Sequence, residues 1–341
     1  MKNKLLLTSA LVGLVAVSGA HAETKVSGNM EQTWKNISDD ANAGAASTEG
    51  FGTELNIGIN SSSELDNGMS TKFGFNLETD PSNGGAAEND SYYLTIGLND
   101  VASISFAQDN GTNLSGSAVP HISDTASTVV GGGYHNLGVG TSDGHNDMHI
   151  RTDIKAAGGA LTLRYVPNDG QSSNSQSSAV AAESANSAYD VIYKGSLGVD
   201  GLSVLAGVHK AEQNSVAGTD AEDTVFKKYG IAYNFGQFSV GVERQDSEVD
   251  GTNTGEKDEK ESTSAGITFA VNDQVSLGLV RYETEFKDNG VKDAQEEETT
   301  MIGLGYSLGG LAIDINYAQT DNYNFGDTDR DTLQIRTIQK F

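Results

Sequence analysis

The sequence predicts an all-β chain closed into a transmembrane antiparallel up-and-down β-barrel of about 16 strands, with a long loop after strand five. Three observations carry this reading. Apolar and polar residues alternate with period two in short segments along almost the whole chain. Such a pattern puts one face of each strand in an apolar medium and the other in a wet one. Tight turns and long polar loops alternate between the segments, as strands running up and down require. Finally, no segment has the roughly 20 consecutive apolar residues that a helix needs to span a bilayer, so any crossing is made by strands.

The chain opens with a basic head, Met1-Lys2-Asn3-Lys4, an apolar run from Leu5 to Val17, and the small-x-small sequence Ala20-His21-Ala22. Residues 1–22 are therefore read as a secretory signal removed before Glu23, and residues 23–341 as the barrel. Removal of the signal takes away two lysines. It leaves 19 basic against 47 acidic side chains, a formal charge of −28 over 319 residues. That acidity disfavours nucleic acid, whose phosphates reward Lys and Arg. The absence of cysteine excludes a disulfide framework in an exported chain, so backbone pairing must supply the stability. An apolar content of 36% with 41 glycines is too polar for a large helical protein. A disordered acidic chain would share that composition, but not the recurrent alternation.

Strand one runs from Lys25 to about Lys35, with Val26, Met30 and Trp34 on one face, and a loop over 38–50 follows. Strand two turns Leu55, Ile57 and Ile59 outward and Glu54, Asn56 and Asn60 inward. Asn67-Gly68 supplies the positive φ angles for the hairpin to strand three, where Phe73, Phe75 and Leu77 oppose Lys72, Asn76 and Glu78. Strand four (Tyr92, Leu94, Ile96, Leu98) reaches strand five (Ile104, Phe106) through Asn99-Asp100. Residues 109–147 lack clean alternation. Strands six and seven (Ile150 to Ile154, Leu161 to Tyr165) turn at 157–159, and 168–187 is a loop. Four further hairpins follow: Tyr189–Leu197 with Leu202–Val208, Tyr229–Phe235 with Phe238–Val242, Ile267–Val271 with Val275–Leu279, and Ile302–Leu308 with Leu311–Tyr317. A loop at 324–328 leads to the closing strand, which makes sixteen, an even number. Tyr92, Tyr165, Tyr189, Tyr229, Phe235, Phe238, Tyr306, Tyr317 and Phe341 fall near strand ends, where the aromatic girdles of a membrane barrel belong.

The closing strand places Leu333, Ile335, Thr337 and the terminal Phe341 on one face and Thr332, Gln334, Arg336 and Lys340 on the other. An amphipathic last strand ending on Phe resembles the closing strand of Gram-negative outer-membrane porins. Gln339 departs from that pattern, which has another apolar residue there. The resemblance covers the whole of residues 23–341. It implies a homotrimer in outer-membrane lipid and lipopolysaccharide, built by the barrel-assembly machinery, which reads a terminal aromatic strand. It implies passive passage of small hydrophilic solutes and ions, with short turns and both termini on the periplasmic side. It also makes 109–147 a constriction loop, folded into the barrel after strand five.

On that reading Asp109 and Asp124 are the loop acids expected to face the pore, with Asp143 and Asp147 weaker candidates. Lys25, Lys72, Arg151, Lys155, Arg164, Lys194, Lys228 and Arg336 lie opposite the apolar faces. A base facing lipid at mid-depth costs about 2–4 kcal/mol, so the lumen is their place. Lys72, Arg151, Arg164 and Arg336 sit deepest in their strands and are the expected pore-lining bases. Arg244 and Arg281 share parity with apolar residues, which places them at a bulge or a strand end. Phe341 and Tyr317 are expected at the membrane interface. The loops are acidic and the expected wall is basic, so the narrow point decides selectivity and parity does not give its sign; weak cation preference is the expectation. No cofactor is expected, beyond divalent cations held loosely by acidic loops such as 293–298 or 327–331. His145 and His149 have no helix to make their i,i+4 spacing a metal site. No hydrolase, metalloprotease or phosphate-loop motif is present, and His209 has no evident Ser partner, so the chain does not read as an enzyme. Three other readings stay open: a substrate-selective channel with a binding site at the constriction, a structural or adhesive surface barrel, and a secreted soluble β protein. The last would have to expose large apolar patches to water.

Overall fold

The structure is a computed structural model that describes residues 23–40, 48–79, 87–108, 117–122, 148–169, 186–211, 224–250, 257–288 and 295–341. Period-two alternation becomes sixteen strands: β1 (Glu23–Asp39), β2 (Thr48–Glu64), β3 (Ser70–Thr79), β4 (Ala87–Leu98), β5 (Ala102–Gln108), β6 (Met148–Ala156), β7 (Gly159–Asp169), β8 (Asn186–Gly195), β9 (Leu202–Ala211), β10 (Thr224–Phe235), β11 (Phe238–Asp250), β12 (Lys257–Ala270), β13 (Val275–Asp288), β14 (Gln295–Leu308), β15 (Leu311–Asp321) and β16 (Arg330–Lys340). Each is antiparallel to its sequence neighbours, and β16 returns to pair with β1, so the sheet is closed. The predicted architecture and strand number are both observed.

The seam is completed by the last residue. Phe341 N–H donates to the Gly28 carbonyl at 2.9 Å, and Gly28 N–H donates to the Phe341 carbonyl at 3.1 Å. The Phe341 ring lies against the bare backbone of Gly28, where a Cβ would collide with it.

Tight turns close one end of the barrel. Ala157 and Gly158 both adopt positive φ, 47° and 75°, the two-residue geometry that matches strand twist. At 65–68 the turn differs from the expectation. Only Gly68 has positive φ. Asn67 keeps ordinary backbone geometry and instead accepts the Met69 N–H on its Oδ1 at 3.1 Å, an Asx contact that does the same work.

The outward face carries the apolar band: Phe73, Leu94, Ile150, Ile231, Val242 and Ile302 are all more than 40% exposed. Tyr233, Phe235, Phe238 and Phe269 stack in sequence, with centroids 4.7–6.2 Å apart, as an aromatic cluster at the tight-turn end. Beyond the band β11–β14 continue as polar ladders, which is why the expected strand starts near Ile267 fell short of Lys257. Apolar alternation marks the membrane-depth part of a strand and vanishes where both faces are wet.

Arg244 and Arg281 belong to this extension. Neither sits at a bulge, because the register runs unbroken through both. They face outward above the apolar band, Arg244 to Asp246 (2.9 Å) and Glu261 (2.7 Å), Arg281 to Glu283 and Glu298 (2.8 Å each). Pairs this exposed contribute only about 0.2–1 kcal/mol.

Closure predicts a vulnerable seam. Gly28→Val drives a branched side chain into the Phe341 ring and costs about 1–3 kcal/mol. The variant barrel is expected to unfold at a lower temperature in a heat-modifiability gel than the wild type. The outward control Val26→Ala should shift far less, and an unshifted Gly28→Val would show that the terminal ring does not secure the seam.

Candidate functional site: the lumen wall and the segment seated in it

The inward faces divide into sectors of different chemistry. On β10–β14 the sequence places glycine on the lumen face: Gly230, Gly241, Gly266, Gly278 and Gly303 share parity with the inward polar residues. Residues 117–122, part of the connection between β5 and β6, lie across them. A Cβ on these glycines would meet Ala118, Pro120, Val119, Ile122 and Ile122 respectively, at 2.5–2.8 Å, closer than carbon atoms pack. The glycines therefore form a groove that fits this segment. Val119 fills it at 2% exposure, against Val280, Tyr282, Met301 and Ala318. Burying a valine stabilises by about 1.5–3 kcal/mol.

A buried carboxylate fixes the segment's register. Glu243 Oε2 accepts the Ala118 N–H at 2.6 Å. The other oxygen takes Gln245 Nε2 at 2.9 Å and lies 3.4 Å from Lys228 Nζ. Residues 117–122 of the connection after the fifth strand thus lie inside the barrel, and the rest of 109–147 falls outside the described residues. Asp109, Asp124, Asp143 and Asp147 themselves lie outside the described residues.

A basic strip runs along β3, β6 and β8 near the tight turns. Lys72, Arg151, Lys155 and Lys194, with Asp100, Asp153 and Thr162, line a cavity of about 450 Å³. Arg151 is opposite Arg164 across the β6–β7 pair. Like charges directly opposed destabilise a sheet, and each here has its own acid. Arg151 Nε donates to Asp153 at 2.7 Å, while Arg164 Nε donates to Asp190, which also meets His209 Nδ1 at 2.5 Å.

The four expected bases therefore fall into two kinds. Lys72 and Arg151 line open space. Arg164 and Arg336 face inward but are 3% exposed. Arg336 lies between Glu31 at 3.3 Å and Asp314 at 3.2 Å, so it ties β16 to both neighbours. Parity equally places Asp153, Asp190, Glu243 and Asp314 inward, acids that are absent from the expected site residues. Tyr317 faces outward on β15, between Ile302 and Leu333. Phe341 is the exposed terminal residue at the seam.

In the middle of β1–β4 the inward residues are amides, hydroxyls and one aromatic, with Lys72, Glu31, Glu54 and Glu78 around them. Asn56, Asn60, Asn76, Ser91 and Tyr93 border a recess of about 680 Å³.

The seat of the segment gives a test. Gly266→Val inserts a side chain where Val119 sits, at a cost of about 1–3 kcal/mol. It displaces the segment into the lumen and lowers single-channel conductance in a planar bilayer. Ala265→Val, facing outward one residue away, should leave conductance unchanged. Equal conductance in both variants would mean that 117–122 does not shape the passage.

Comparison with known proteins fits this geometry. The sequence profile of the Gram-negative porin family matches residues 8–336. Among curated protein sequences, none matches. The fold is similar to that of in-vitro folded OmpT of Vibrio cholerae in its trimer form, with a TM-score of 0.64 at 13% identity over 94% of this chain and 99% of that one. It is similar to an anion-selective porin from Comamonas acidovorans, at 0.64 and 13% over 94% and 100%. A mutant of the Rh. blastica porin aligns at 0.59 and 16% over 94% and 100%. The chain belongs to the Gram-negative porin family and is a diffusion channel of the outer membrane, a sixteen-stranded barrel and not an enzyme.

Proposed function

We propose that the mature protein, from Glu23 onward, is a homotrimeric pore through which small hydrophilic solutes and ions diffuse passively, and that it favours anions. The observation that carries the sign is the basic strip of Lys72, Arg151, Lys155 and Lys194 on the lumen wall. Of the inward bases, Arg164, Lys228 and Arg336 lie beside buried acids, so their fields are largely cancelled nearby. The strip lines open space instead: Arg151 is paired with Asp153 there, but the four bases outnumber the two acids of the cavity, Asp100 and Asp153. The expected weak cation preference gives weight to the acidic loops at the mouth. Charges there are screened over about 8 Å in physiological salt, whereas a ring or strip at the wall acts on every passing ion.

Asp109 and Asp124 belong to this reading as the acids proposed for the constriction. Residues 1–22 act as the export signal, with its basic head, apolar run and Ala20-His21-Ala22. The tight-turn end faces the periplasm. Tyr317 and Phe341 lie at the membrane interface, where Phe341 also serves recognition by the assembly machinery. The charged outward extensions of β11–β14 meet lipopolysaccharide headgroups.

A planar bilayer with a potassium chloride gradient tests the proposal. Purified protein is expected to insert with conductance in steps of three and a reversal potential of anionic sign. Replacing Lys72→Glu and Lys155→Glu together should move the anion-to-cation permeability ratio toward cations on the order of a few-fold, since two charges change sign at the wall. A cationic reversal potential in the wild type would overturn the anion reading. Inserted protein without conductance would overturn the pore itself.

A further inference from the structure

The β1–β4 sector is built differently from the rest of the lumen. We propose that it is a binding subsite for neutral polyhydroxylated solutes, meaning sugars and sugar alcohols; this rests on the pore reading above.

Its first argument is chemical. Each Asn side chain carries two N–H donors and a carbonyl acceptor, the mixture that vicinal hydroxyl groups match. Asn76 Nδ2 donates to Asn56 Oδ1 at 3.1 Å, and Tyr93 O–H donates to Asn60 Oδ1 at 2.8 Å. These bonds fix the amides along three strands. Asn60 thereby commits its oxygen to Tyr93, and among the described residues no acceptor takes its NH₂. Charges surround the recess: Lys340 at the tight-turn rim, Lys72 further along β3, and Glu31, Glu78 and Glu54 on the far side, where Glu54 accepts from Asn56. The middle is uncharged, so it offers directional hydrogen bonds without selecting an ion.

The second argument is shape. Gly58 faces the lumen in the centre of the sector, and the position its Cβ would occupy is ringed by polar atoms. Asn60 Nδ2 and Ser27 Oγ lie 3.6 Å away and Asn76 Oδ1 3.8 Å. Glycine inside a strand weakens it and marks a place where something approaches the backbone closely. On β10–β14 the lumen-facing glycines are met by residues 118–122 of the chain itself. At Gly58 the described residues leave that space to a solute, with donors and acceptors already turned toward it.

The third is the ring. A Cβ on Gly74 would sit 2.7 Å from Tyr93 Cε1 and 2.9 Å from its Cζ, so the ring is laid along the wall over bare backbone. Laid this way, it presents an apolar face beside the amides. Polar groups converging next to an aromatic face are what a small-molecule site requires. The C–H face of a pyranose packs on such a ring while its hydroxyls reach Asn60 and Asn76.

The experiment reads ion current through the wild-type trimer while glucose, sucrose and sorbitol are titrated separately, each compared with polyethylene glycol of similar size. At least one of the three polyols should reduce conductance saturably, beyond the fall in bulk conductivity that the glycol control shows. Asn60→Leu and Gly58→Val, tested singly, should each raise the half-blocking concentration by roughly tenfold, the size expected from losing a hydrogen bond or two. Conductance in plain potassium chloride should stay within the range of the wild type, which shows that the barrel has folded. Reduction no greater than the glycol control for all three polyols would overturn the subsite, as would block that both variants leave unchanged. Absence of any conductance would instead sink the pore reading on which the subsite rests.

Discussion

Everything in this molecule depends on pairing the last strand with the first. In hydrocarbon an unpaired backbone N–H or carbonyl costs several kcal/mol, so a sheet in lipid cannot keep an edge. Here β16 meets β1 over eleven residues, from Asp39 opposite Arg330 to Asn29 opposite Lys340. The side chains reinforce that seam at three depths. Arg330 grips Asp39 with two bonds of 2.5 and 2.7 Å, Arg336 reaches Glu31, and Phe341 exchanges both backbone bonds with Gly28. Closure fixes what faces lipid and what faces water, and so makes a lumen that the rest of the sequence can furnish.

Most of the fold was legible because a closed sheet in lipid writes itself into the sequence with period two. Strand number, facing and the inward placement of all eight expected bases followed from that rule alone. The rule fails where its physical cause stops. Above the apolar band both faces of β11–β14 are wet, so neither the length of those strands nor the ion-paired positions of Arg244 and Arg281 left a signal of alternation. The site was less legible than the fold for a different reason. Parity shows that Arg164 and Lys72 both point inward; it is silent on the pairing that sets Asp190 of β8 directly opposite Arg164, which seals one and not the other. Partnership across strands needs register, and register was known only once the strands were paired.

The segment at 117–122 shows how a barrel can hold its own chain without filling its lumen. A groove made by omitting side chains leaves the strands close to regular while providing depth, and apolar residues then fill it. Glu243 adds what the groove lacks, a directional contact that fixes Ala118 along the strand direction. A buried carboxylate is costly unless its bonds are satisfied. This one is served by Gln245, Lys228 and the Ala118 amide, so seating the segment and satisfying the acid are a single event. The Gly and Glu positions had the parity to suggest this, but the signal is an absence of side chains on five successive strands. It acquires meaning only when something is found in the space.

The lumen thus separates its charges by role. Arg164, Lys228 and Arg336 stand at or below 3% exposure beside acids, and removing either partner of such a pair would leave a buried charge uncompensated, a loss of about 3–5 kcal/mol. They act on strand register and on the seat of the segment more than on passing ions, because a close pair presents a dipole whose field decays faster than that of a lone charge. Lys72 and Lys155 do the opposite: they face open space and, among the described residues, pair with no buried acid. Bases that look equivalent in the sequence are therefore divided by burial into those that hold the wall and those that address the solute. Lys72, on β3, borders the amide sector as well as the basic strip, whereas Lys155 and Lys194 stand on β6 and β8. An ion drawn to those and a polyol held at the uncharged centre of β1–β4 therefore engage different stretches of wall.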